Sequence, residues 1–211
     1  MIIVAFAGLA RGGKTTAANH LAKWCLDHDL KPIICSFAAS LKNAAKRAGI
    51  DKEKHPELYR KTLQRWGESR RDPKYRPGRT GPDFWVSRTA VELLYCTVDE
   101  KEYYRQLTCL GAEQHFRERV LIFDDMRYEN EVELIQSLGG TTVFIDGHCR
   151  IKDKDAEWRK HESEKMATDY TYGDLDDGLF DYIAMNNGSE KSFKGLVETL
   201  APVWLDMEIL T

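Results

Sequence analysis

MIIVAFAGLARGGKTTAANH, residues 1–20, decides how the rest of the chain is read. Ile2 to Ala7 is a continuous apolar, partly β-branched run, which predicts a strand buried on both faces of a parallel sheet. Gly8 to Thr15 then spell G-x-x-x-x-G-K-T, and Ala17, Ala18, Leu21, Ala22 and Trp24 continue with helical character. Strand, glycine loop and helix follow in the order a phosphate-binding loop requires.

The residue types explain the pattern. Gly8, Gly12 and Gly13 allow a tight turn that brings backbone N–H groups up to phosphate oxygens. Ala10, Arg11 and Thr16 complete the stretch expected to wrap a nucleoside triphosphate, with the helix N-terminus aimed at the same anion. Lys14 is placed to reach the β- and γ-phosphates, and the Thr15 hydroxyl to ligate Mg²⁺.

Working outward, the chain has 211 residues, enough for one α/β domain with a buried sheet. It is 42% hydrophobic and 31% charged, which is ordinary for a soluble protein. No apolar run has the length of a membrane span, and the apolar start lacks a basic leader, so neither a membrane nor a signal peptide is expected. Five cysteines without a C-x-x-C pair favour free thiols in a reducing cytoplasm. The net charge of −3 hides an asymmetry: residues 1–90 carry 18 Lys/Arg against 8 Asp/Glu, and the remainder 13 against 26. A basic half suits a phosphate-bearing ligand, nucleotide or nucleic acid, and equally a solvated basic face.

In chain order, the pattern predicts a strand over 33–37, a helix over 38–48, a helix over 55–71, a Pro/Gly/basic loop over 72–82 and a helix over 83–97. Lys42 stands one turn into its helix, where it could face a phosphate or water. Residues 51–98 read as a basic helical insertion, placed where a kinase would hold a phosphate acceptor, or as a surface excursion with a solvated loop. A helix over 99–117 leads to the apolar strand 120–123, which ends in Asp124-Asp125-Met126-Arg127. An acid there is placed to hold Mg²⁺ directly or through water, although such an acid is also a common N-cap. A helix over 129–138, a strand over 141–145, an irregular lid-like segment over 147–178, a strand over 181–185 and a helix over 190–200 complete the chain. Strands alternating with helices predict a three-layer α/β fold of the P-loop NTPase type, a five-stranded parallel sheet with helices on both faces. His161-Glu162-Ser163-Glu164 lacks the second histidine of a zinc motif, because position 165 is lysine. The pattern D-x-x-G, needed for a regulatory GTPase, is absent after the third strand.

Several segments together resemble the bacteriophage-type deoxynucleoside monophosphate kinases: DDMRYENE (124–131), HESE (161–164), DYIAMNNGS (181–189), LQRWGESRR (63–71), FWVSR (84–88) and SFAASLK (36–42). The resemblance touches every part of the chain. It implies that Lys14, Thr15 and Asp125 serve ATP and Mg²⁺, with Asn187 near the adenine. It implies an acceptor side made of Gln64, Arg71, Trp85 and Arg127, to which Lys42, Arg70 and Arg88 are added as candidates. Arg150, His161 and Glu164 would belong to a closing lid or its supports. The expected partners are small nucleotides rather than nucleic acid, in the cytoplasm (a host's, if phage-encoded), with a homodimer left open.

Overall fold

The computed structural model describes residues 1–72, 74, 81–90, 118–151, 161–172 and 178–207. Most of the expected 72–82 loop, the helix over 99–117, the end of the helix over 83–97 and parts of the 147–178 segment lie outside the described residues. The elements are β1 (Ile2–Ala7), α1 (Lys14–Asp27), β2 (Leu30–Cys35), α2 (Ala39–Arg47), α3 (Pro56–Arg71), β3 (Glu118–Phe123), α4 (Glu129–Ser137), β4 (Thr141–Asp146), a 3₁₀ turn (His148–Arg150), α5 (Glu162–Tyr172), β5 (Tyr182–Met185) and α6 (Glu190–Trp204). Residues 84–90 are also helical.

The five strands form one all-parallel sheet in the order β2-β3-β1-β4-β5. The chain divides into two compact units, residues 1–36 with 116–211, and residues 37–115. The sheet belongs to the first. One sheet face carries Val4, Phe6, Val120, Ile122, Val143, Ile145 and Ala184, packed against Ala17, Leu21 and Cys25 of α1 and Phe193, Val197 and Trp204 of α6. Phe6 meets Trp204 edge to face at 5.5 Å. Burial also pushes the Cys25 thiol up to about 12, which suits an inert core residue. On the other face Phe144 packs on Tyr170 of α5 and on Phe180, and Ile135 of α4 lies over Gly140 and Ile3. Helices thus cover both faces of the sheet.

Three boundaries differ from the sequence expectation, each for a physical reason. β2 begins at Leu30 and includes Pro32. It is an edge strand, so the missing proline N–H can fall on the side without a neighbour. α6 runs past Pro202 to Trp204. Complete burial of Ala201 and Trp204 offsets the hydrogen bond that Pro202 removes. The segment expected to be irregular over 147–178 contains α5, whose Met166, Ala167 and Tyr170 are buried. No helix among the described residues is long and apolar enough to cross a membrane.

In the second unit α2 packs on α3. Gly67 has room for a methyl group, with Leu41 and Arg71 each 3.6 Å from where its Cβ would lie. Trp85 is buried and donates from Nε1 to the Gly67 carbonyl at 3.2 Å.

Candidate functional site

In an open α/β sheet, ligands collect at the carboxyl edge where neighbouring strands send their connections in opposite directions. Here β1 leads through α1 to β2, across β3, while β3 leads through α4 to β4, on the far side of β1. The crevice therefore falls between the ends of β1 and β3, at Gly8 and Asp124.

Side chains alternate faces along a strand, so the residue two positions beyond the last core residue keeps that residue's side. Phe6, Ile122, Ile145 and Ala184 all face α1 and α6. The residues two further on are Gly8, Asp124, Gly147 and Asn186. Gly8 opens the 8–15 segment, and the other three meet it. A Cβ at Gly8 would lie 2.4 Å from the Ile145 carbonyl oxygen, and Gly8 has φ +136°. A Cβ at Gly147 would lie 2.2 Å from the Gly12 carbonyl oxygen. Asn186 Nδ2 donates to that same oxygen at 2.9 Å, and its Oδ1 accepts from Arg150 Nη1 at 2.7 Å. Thr15 Oγ1 donates to Asp124 Oδ2 at 3.1 Å.

α1 starts at Lys14 behind Gly13, which has φ +109° and makes no side-chain cap hydrogen bond. The first N–H groups of α1 are thus left without a capping side chain. Lys14 is buried, and its Nζ donates to the carbonyls of Gly8 at 2.7 Å and Leu9 at 3.0 Å. Burial pushes its pKa down to about 8, helped by the positive charge of Arg127, while Glu164, Asp125 and Asp124 pull it up.

Glu164 is buried on α5 and reaches the loop. Its Oε2 accepts from Ala10 N at 2.7 Å, and its Oε1 is ion-paired with Arg127 Nη1. Arg127 N in turn donates to Glu131 Oε2 at 2.7 Å, and Tyr128 N to the same oxygen at 3.3 Å. Glu131 thereby caps the start of α4 and fixes the backbone that carries Arg127.

The expected residues therefore divide. Gly8, Ala10, Gly12, Gly13, Lys14, Thr15, Arg127, Arg150 and Glu164 gather around the loop. Arg11 is exposed in it with φ +66°, and Thr16 follows in the first turn of α1. Asp125 does not pair with Thr15; its carboxylate accepts from Ser36 Oγ. Asp124 and Asn186 take the loop contacts, while Asn187 is exposed. His161 accepts from Ser163 N through Nδ1 at 3.1 Å, capping α5. Lys42, Gln64, Arg70, Arg71, Trp85 and Arg88 belong to the second unit, where the Arg70 guanidinium lies 5.6 Å from the centre of the Phe84 ring.

Sequence reading missed Asp124, Asn186, Gly147 and Glu131. The parity of each strand could have found the first three, had the inward face of a wholly apolar strand been readable.

Among the described residues no group of three or more His, Cys, Asp or Glu could hold a metal ion by itself. Mg²⁺ needs only one or two carboxylates beside substrate phosphates, and the Thr15–Asp124 pair supplies a hydroxyl and a carboxylate in that form. No protein-family model and no curated protein matches this chain.

Proposed function

We propose that the protein transfers the γ-phosphoryl group of ATP to a deoxynucleoside 5'-monophosphate, giving ADP and the diphosphate. The observation that carries this reading is the Lys14 and Thr15–Asp124 arrangement at the crevice between β1 and β3, beside uncapped N–H groups of α1. On this reading residues 8–15 are a phosphate-binding loop within a three-layer nucleotide-kinase fold. The DDMRYENE, HESE and DYIAMNNGS segments support the choice of a monophosphate acceptor.

Bound Mg²⁺ would neutralise charge on the β- and γ-phosphates, held by Thr15 Oγ1 and by Asp124, directly or through water, with Asp125 alongside. Loop N–H groups and α1 would hold the triphosphate. Lys14 would leave its two carbonyl partners for phosphate oxygens. Arg127 would face the transferring group with its guanidinium, a planar fork suited to phosphate. The acceptor attacks through its own ionised phosphate oxygen, so no general base is required. Gln64, Arg70 and Arg71 of the second unit are the proposed acceptor ligands, with Lys42, Trp85 and Arg88.

The test is ADP release from Mg-ATP across the common ribo- and deoxynucleoside monophosphates. The reading expects release that depends on one or more deoxynucleotides and is lost in Lys14→Ala. Release with a nucleoside or with dephospho-coenzyme A alone would move the protein to another small-molecule kinase, and release driven by DNA alone would make it an ATPase.

A further inference from the structure

Glu164 is an acid where an anion-binding loop has least use for one. Its carboxylate is almost wholly buried, yet it lies against the loop expected to meet a polyanion. Its two oxygens are differently engaged. One accepts from Ala10 N at 2.7 Å, and the other is paired with Arg127 Nη1. A buried carboxylate is costly unless paired, and this one is paired on both sides. The Arg127 side chain remains about one-third exposed.

Two cations compete for this space. Lys14 and Arg127 are close enough for Arg127 to depress the Lys14 ammonium, second only to burial. Left alone, Arg127 would swing to water, because its long side chain gains entropy and escapes a like charge. Glu131 fixes only its backbone. Glu164 is the group that fixes its head.

We propose that Glu164 is a positioning residue, a built-in counter-charge that holds the Arg127 guanidinium beside the 8–15 loop before any nucleotide arrives. Because α5 carries Glu164 and Arg127 lies between β3 and α4, the pair also ties α5 to the β3–α4 connection. The assignment rests on reading that loop as a phosphate site.

The test reads the order of the Arg127 side chain from its ¹⁵Nε–¹Hε signal in the whole chain without nucleotide, assigned by Arg127→Lys. Glu164→Gln keeps an oxygen to accept from Ala10 N and loses only the charge. It is expected to free the guanidinium and lower that order, and an Arg127 signal as ordered as in the unaltered chain overturns the proposal. Should Glu164→Gln fail to fold, Glu164→Asp, which keeps the charge on a shorter arm, is read in the same way. A kinetic arm adds a double-mutant cycle with Mg-ATP and the monophosphate identified by ADP release. Glu164→Gln should lower kcat by about tenfold to a hundredfold, as expected for a misplaced group, and change the KM for ATP far less. In an Arg127→Ala background the same substitution should cost almost nothing more. Full loss from Glu164→Gln in that background, or tighter binding of inorganic tripolyphosphate with kcat intact, would make Glu164 a fold residue or a competitor of phosphate and overturn the assignment. A wild-type chain that releases no ADP ends the kinase reading alone, and the order of the Arg127 side chain then still decides the role of Glu164.

Discussion

Asp124 and Asp125 are neighbours with different surroundings. Asp124 accepts from Thr15 at 3.1 Å, whereas Asp125 accepts from Ser36 at the end of β2. The cause is strand parity, which turns adjacent side chains to opposite faces. If the hydroxyl–carboxylate pair at Thr15 is where Mg²⁺ sits, Asp124→Asn should lose at least about tenfold in kcat/KM with Mg-ATP. Asp125→Asn should lose less, because Asn keeps an oxygen to accept from Ser36. Steady-state kinetics over a Mg²⁺ titration reads the difference. Higher Mg²⁺ should partly restore Asp124→Asn, and equal losses without rescue would put the metal role on both acids or on neither.

Elements are held in place by short polar devices at their ends. α6 starts at Ser189, whose Oγ accepts from Ser192 N at 3.2 Å, and its inner face buries Phe193, Val197, Ala201 and Trp204 against the sheet. Ser189→Ala should destabilise the fold by about 1 kcal/mol, the usual value of an N-cap, measured by urea denaturation with an unchanged m-value. A loss of several kcal/mol would mean that Ser189 does more than cap. α5 uses the His161 ring in the same way, accepting from Ser163 N, and so brings Glu164 into its first turn. His161 is thus a support of the helix that reaches the loop.

The molecule as a whole divides its basic residues between two compact units. Lys14, Arg127 and Arg150 belong to the unit that contains the sheet, and Arg70 and Arg71 end α3 in the other. On the kinase reading Lys14 serves ATP, Arg127 the transferring and acceptor phosphates, Arg150 the lid, and Arg70 and Arg71 the acceptor. Arg71→Ala should then lower kcat/KM for the monophosphate roughly 10- to 150-fold, the equivalent of one charge-assisted hydrogen bond of about 1.5–3 kcal/mol. The affinity for ATP should be nearly unchanged. Arg70→Ala combined with Arg71→Ala should cost more than either alone. Unchanged kinetics in that double variant would move the acceptor site off α3.

Much of this was legible in local spacing. The apolar run of β1, the glycines at 8, 12 and 13 and the start of α1 lie within twenty residues, and their geometry is set by neighbours in the chain. The alternation of strands and helices likewise implies a parallel sheet, because parallel strands need crossovers. Two matters were decided only by the folded chain. The faces of β3 and β5 were hidden because both carry apolar residues, so the contest between Asp124 and Asp125, or Asn186 and Asn187, had no signal until the strands paired in the order β2-β3-β1-β4-β5. α5 was hidden because its inward face includes Glu164, an acid that reads as solvent-facing. Burying that carboxylate is stable only with Ala10 N and Arg127 beside it, partners 154 and 37 positions away, and such a pairing exists in tertiary structure alone.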